Sequence, residues 1–96
     1  MLTSKQRAYL RKLANSMDAI LQVGKQGASP ELASALDEAL EARELVKVSV
    51  LNNCEEAPRD VAEKLSVRSR SECVQVIGKK IVFYRKNREN PVIKLP

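Results

Sequence analysis

Residues 19–32 read AILQVGKQGASPEL, and the arrangement of the rest of the chain follows from this stretch. Ala19 to Val23 predicts a short buried strand, and Gly24-Lys25-Gln26-Gly27 a loop. Ser29 is a good N-cap and Pro30 a good first helical residue, with Glu31 suited to the first turn. A strand, a two-glycine loop and a helix start in succession point backbone N–H groups and the Lys25 ammonium at one spot in solvent. Such a spot suits a polyanion.

Working outward, the helix that begins at Pro30 runs to about Arg43, with Leu32, Leu36, Ala39 and Leu40 inward and Asp37, Glu38, Glu41 and Glu44 on the other side. Leu45–Leu51 is a second strand, in which Val46, Val48 and Val50 alternate with Lys47 and Ser49. Two strands joined through a helix are expected to be parallel, with a right-handed crossover. Upstream, Thr3–Met17 predicts a helix opened by a capping box at Thr3 and Gln6. Leu10, Leu13, Ala14 and Met17 share one of its faces, while Lys5, Arg7, Arg11 and Lys12 occupy the remaining arc. Downstream, Glu56–Arg70 is a third helix with Val61, Ala62 and Leu65 inward and Pro58 in its first turn. Cys73–Ile77 and Lys80–Arg85, joined at Gly78-Lys79, form a hairpin. Residues 86–96 read as a basic loop and a short extended segment held by Val92, Ile93 and Leu95. The order α-βαβ-α-ββ predicts one α/β (α+β) domain over residues 1–96, a mixed four-stranded sheet packed with helices.

The composition narrows the chemistry. The chain has no histidine, which removes the commonest general base and the usual Ser-His and Cys-His nucleophiles. Cys54 and Cys73 lack metal-ligand spacing and read as packing residues, so no cofactor or metal is expected. The longest apolar run is far too short to span a bilayer and no leader pattern is seen, so a cytoplasmic protein without a membrane partner is expected. Net charge is +5 and unevenly spread. Residues 1–30 carry five basic and one acidic side chain, residues 31–58 two and seven, and residues 73–96 six and one. Basic ends around an acidic middle suggest one polyanion-facing surface.

The glycine loop fits neither phosphate-binding fingerprint: it lacks a third glycine and a Gly-Lys-Ser/Thr run. A Gly-x-x-Gly loop that clamps nucleic-acid backbone is the device of KH domains. With a basic helix next to it in sequence, that reading outweighs a plain strand-to-helix turn. Phe83 and Tyr84 point to opposite sheet faces; Phe83 reads as core, while Tyr84 is either packed or a stacking platform for a base.

LTSKQRAYLRKLA in the first helix, the VGKQG loop, the ALEARELVKVSV passage and CVQVIGKKIVFYR in the hairpin together resemble the CRM domain (chloroplast RNA splicing and ribosome maturation), in particular its small single-domain bacterial members. The resemblance covers almost the whole chain and implies an RNA-binding fold like the C-terminal domain of bacterial translation initiation factor 3. It also implies association with precursors of the large ribosomal subunit. The family's loop falls on Gly24, Lys25, Gln26 and Gly27, its basic helix on Lys5, Arg7, Arg11 and Lys12, and the end of its last strand on Tyr84 and Arg85. Asn15 stands where relatives often have histidine. The expectation is a monomeric, non-enzymatic RNA binder with no small-molecule substrate. The competing readings are an adaptor that uses the acidic helix face and a structured-RNA binder unrelated to ribosomes.

Overall fold

In a computed structural model describing residues 2–96, seven elements follow the expected order. They are α1 (Ser4–Ala14), β1 (Leu21–Val23), α2 (Pro30–Arg43), β2 (Leu45–Val50), α3 (Pro58–Ser69), β3 (Glu72–Ile77) and β4 (Lys80–Tyr84). The sheet order is β1-β2-β4-β3, with β1 parallel to β2 and the other neighbours antiparallel. The fold is the mixed α/β arrangement that the sequence implies.

β2 shows why the sheet is covered on both sides. Val46, Val48 and Val50 face α2 and α3, in a core with Val23, Leu36, Leu40, Val61, Leu65, Ile81 and a fully buried Phe83. Leu45 faces the other way, into a second cluster with Leu10, Ala14, Val74, Val82 and Tyr84, over which lie α1, Ile93 and Leu95. Lys47 also lies on this second face, but it is half-buried rather than solvated. Its ammonium donates to the carbonyls of Ala14 (3.1 Å) and Met17 (3.3 Å), at the C-terminal end of α1 and in the turn that follows it.

Three local features depart from the sequence reading. α1 ends at Ala14 rather than Met17, and a turn bond from Met17 N–H to the Ala14 carbonyl follows it. β3 carries a bulge at Val74, where its register against β4 skips from Cys73 to Gln75. The C-terminal segment, in which no strand forms, is held by Glu44. This fully buried residue ends α2 at φ 65°, a left-handed conformation that costs a non-glycine residue about 1–3 kcal/mol. Its carboxylate accepts from the N–H groups of Asn87 (2.7 Å), Val92 (2.7 Å) and Ile93 (2.6 Å), and its carbonyl accepts from Arg85 N–H. Those bonds hold the residue in its unfavourable conformation.

Candidate nucleic-acid interface

The chain turns sharply at the end of β1. Gly27 N–H donates to the Gly24 carbonyl (3.0 Å) and Ser29 N–H to the Gly27 carbonyl (2.9 Å), leaving Lys25 and Gln26 exposed at the tip. The two glycines serve different ends. Gly27 has φ 63° and is buried, and its Cα lies against Glu56 of its own chain. Gly24 has ordinary surroundings, since a Cβ there would stand 3.8 Å from Asn53 Oδ1. The freedom expected to admit a ligand's backbone is therefore used at Gly27 to admit Glu56.

The start of α2 is largely closed as well. Pro30 has no N–H, Leu32 N–H is taken by Ser29 Oγ (3.1 Å) and Ala33 N–H by the Ser29 carbonyl (2.9 Å). The N–H groups of Gly27, Ser29, Leu32 and Ala33, which the sequence reading turned toward solvent, are thus bonded within the chain, while the Lys25 ammonium is exposed.

What lies beside the loop is set by the sheet. The parallel β1/β2 pair brings the residues after Val50 to the same end, and the antiparallel hairpin brings Gly78-Lys79 there too. Val50 N–H donates to the Lys79 carbonyl (2.7 Å), and the Lys79 ammonium reaches Asn52 Oδ1. Three connections, at 24–27, 51–54 and 78–79, thus share one edge. On the α1 side of the sheet, Gln22, Ser49, Lys80 and Ile77 lie in register in a row across the four strands. α1 covers the other end of this face, so the row lies open between α1 and the three connections. Lys80 Nζ donates to Ser49 Oγ (3.1 Å), and Ile77 is 62% exposed. The sequence places Lys79 at a hairpin turn and Lys80 at the start of a strand but does not show the row, because only the strand register reveals it.

The helix cations separate into two groups. Lys5, Arg11 and Lys12 are exposed. Arg7 is not free: its guanidinium donates to the carbonyls of Cys73 (2.7 Å) and Val74 (3.0 Å) and lies 3.8 Å from Glu72. Gln6 donates to the Pro96 carbonyl, which places the C-terminal segment along one flank of α1. Arg11 stands on the opposite flank, one turn beyond Arg7.

Tyr84 and Arg85 require correction. β4 runs antiparallel to β2 and ends opposite Leu45, at the far end of the sheet from the glycine loop. Tyr84 is 4% exposed and packed beneath α1, so no base can stack on it in this fold. Burial, with the Glu44 charge adding to it, pushes its phenol above the ordinary range. Arg85 bridges Asp37 (2.6 Å) and Glu41 (3.1 Å) and also donates to the Ser69 carbonyl (2.7 Å). The acidic face of α2 is thereby reduced, since two of its carboxylates pair within the chain. A groove lies at this far end, where these carboxylates mix with Arg68, Arg70 and Arg88.

Among the described residues no group of three metal-ligating side chains occurs, and Cys54 and Cys73 are free thiols. Burial pushes the Cys73 thiol up, away from the thiolate a nucleophile needs. Among the described residues, no helix is long and apolar enough to cross a membrane.

A Bacillus subtilis relative named Probable RNA-binding protein YqeI is 53% identical over the full length of both chains. A Pseudomonas aeruginosa relative, Probable RNA-binding protein PA4753, is 31% identical over 90% of this chain and 83% of its own. The solution structure of a hypothetical protein from Staphylococcus aureus superposes with a TM-score of 0.84 at 50% identity, covering all of both chains. The family model of the CRS1/YhbY (CRM) domain matches residues 2–85, and the chain belongs to that family.

Proposed function

We propose that this protein is a non-enzymatic RNA-binding protein that grips phosphates along the loop end of its sheet. Lys25 at the tip of the Gly24–Gly27 loop and Lys79 and Lys80 in the hairpin supply the charge there, and the exposed Arg11, Lys5 and Lys12 of α1 extend it toward the other end of the face. The observation that carries this reading is that two connections from separate parts of the chain, 24–27 and 78–79, bring lysines to one edge, beside an open row of mostly polar side chains. The relatives' names as RNA-binding proteins support it. Tyr84 is buried and Phe83 lies in the core, so stacking on β4 aromatics plays no part, and recognition proceeds through backbone and shape. In the fuller form of the proposal, the RNA belongs to precursors of the large ribosomal subunit, met by a monomer in the cytoplasm.

Two measurements test it. Lys25→Gln should weaken binding of an RNA stem-loop about tenfold and lower the slope of log affinity against log salt by about one. Unchanged binding and slope would remove Lys25 from the interface. Sedimentation of a lysate should show the protein with large-subunit precursors at low salt and at the top of the gradient at high salt. Finding it at the top under both conditions would break the ribosomal part of the proposal.

A further inference from the structure

The connection between β2 and α3 sends one carboxylate beneath the glycine loop. Glu56 Oε1 accepts Ala28 N–H (2.9 Å), and Oε2 is ion-paired with Lys64, one turn inside α3. The Ala28 carbonyl accepts from the Arg68 guanidinium, so both backbone groups of the residue that closes the loop are held from the α3 side. The fit leaves no slack. A Cβ on Gly27 would stand 1.9 Å from Glu56 Oε1 and 2.9 Å from Cδ. The Glu56 side chain is 26% exposed, and the Lys64 ammonium, then the Ala28 amide, holds its carboxyl below the ordinary glutamate range.

A carboxylate directly behind a loop that meets phosphates is unfavourable as a charge. Its place is explained by what it fixes: the turn that presents Lys25 and Gln26. We infer that Glu56 is a positioning residue for RNA binding, clamping the Gly24–Gly27 loop from behind through Ala28 N–H and the cleft that Gly27 leaves open. The inference rests on the reading that this loop binds RNA. It also makes the second glycine of the loop a receptor for the protein's own glutamate.

The two roles of Glu56 predict opposite signs. If it acted only through its charge, Glu56→Ala would tighten RNA binding. As a clamp, its loss should weaken binding about three- to tenfold, the cost of ordering a freed loop on association. The salt slope should stay unchanged, because no cation has been removed. Glu56→Gln keeps an acceptor for Ala28 N–H and should recover part of the loss. Gly27→Ala should also weaken binding, since it both displaces the carboxylate and strains the loop at φ 63°. The measurement is affinity for an RNA stem-loop between about 50 and 200 mM salt, with amide exchange at Ala28 followed in the free protein. Exchange should speed up in Glu56→Ala. Equal or tighter binding by both Glu56 variants overturns the inference, as does weaker binding with a changed slope. If Glu56→Ala does not fold, Glu56→Gln decides alone: it must weaken binding at unchanged slope, with faster exchange at Ala28. Lys25→Gln in the same assay separates the two failures. If it binds as the wild type does, the loop reading is at fault; if it weakens while the Glu56 variants do not, only the clamp is.

Discussion

The two ends of the sheet carry similar charge in the sequence and different arrangements in the structure. At the loop end, Lys25 is exposed, Lys79 reaches an amide oxygen and Lys80 a hydroxyl. At the far end, Arg85 is held by two carboxylates and a carbonyl, and Tyr84 is buried. Each end has one glutamate that accepts backbone N–H groups. Glu56 shapes a loop that stays open to solvent, whereas Glu44 folds the C-terminal segment down onto the core. Basic residues mark a binding surface only where the protein has not already used them.

The largest expected effect tests the far end. Tyr84→Ala should cost about 3–5 kcal/mol in urea denaturation, as for a core aromatic. A stable Tyr84→Ala variant that fails to bind RNA would return Tyr84 to the interface. Next, Glu44→Gln should cost about 2–3 kcal/mol, because it weakens the acceptor shared by three N–H groups, while RNA affinity at the loop end stays the same. Burial alone would raise the Glu44 pKa, but the N–H donors of Asn87, Ile93 and Val92, with the Lys86 charge, lower it overall. The unfolded chain therefore takes up this proton first as pH falls. The contribution is complete above the ordinary glutamate pKa and disappears as pH drops through the folded value. Comparing the acid denaturation of Glu44→Gln and the wild type reads this directly. The smallest effect compares the ends themselves. Lys79→Glu with Lys80→Glu should weaken RNA binding about tenfold. Lys86→Glu with Arg88→Glu, an equal change in net charge, should do much less. Equal losses would mean that overall charge, rather than location, governs binding.

Much of the fold was legible in residues 19–50, since a strand, a capped helix and an alternating strand leave one sensible crossover. The inner faces of the helices were legible too: Leu36, Leu40, Val61 and Leu65 all lie in the core. What could not be read was the direction of β4 against β2. Alternation over residues 80–85 tells which side chains share a face, but not which end of the sheet the strand runs toward. Had β4 run parallel to β2, Arg85 would have stood at the same end of the sheet as Lys25. Arg7 was misjudged for a related reason. A helical wheel places it on a polar flank and is silent about the bulge carbonyls of a strand nearly seventy residues away.

That contact has a consequence for how the molecule meets its own copies. β3 is an edge strand, and an open edge is a template on which another chain can add a strand. The bulge at Val74 interrupts the regular spacing of that edge, and the Arg7 guanidinium sits on the carbonyls of Cys73 and Val74. An incoming strand would meet a misaligned ladder with a fixed positive charge on it. The arginine that the sequence suggested for holding RNA instead helps keep the sheet from growing.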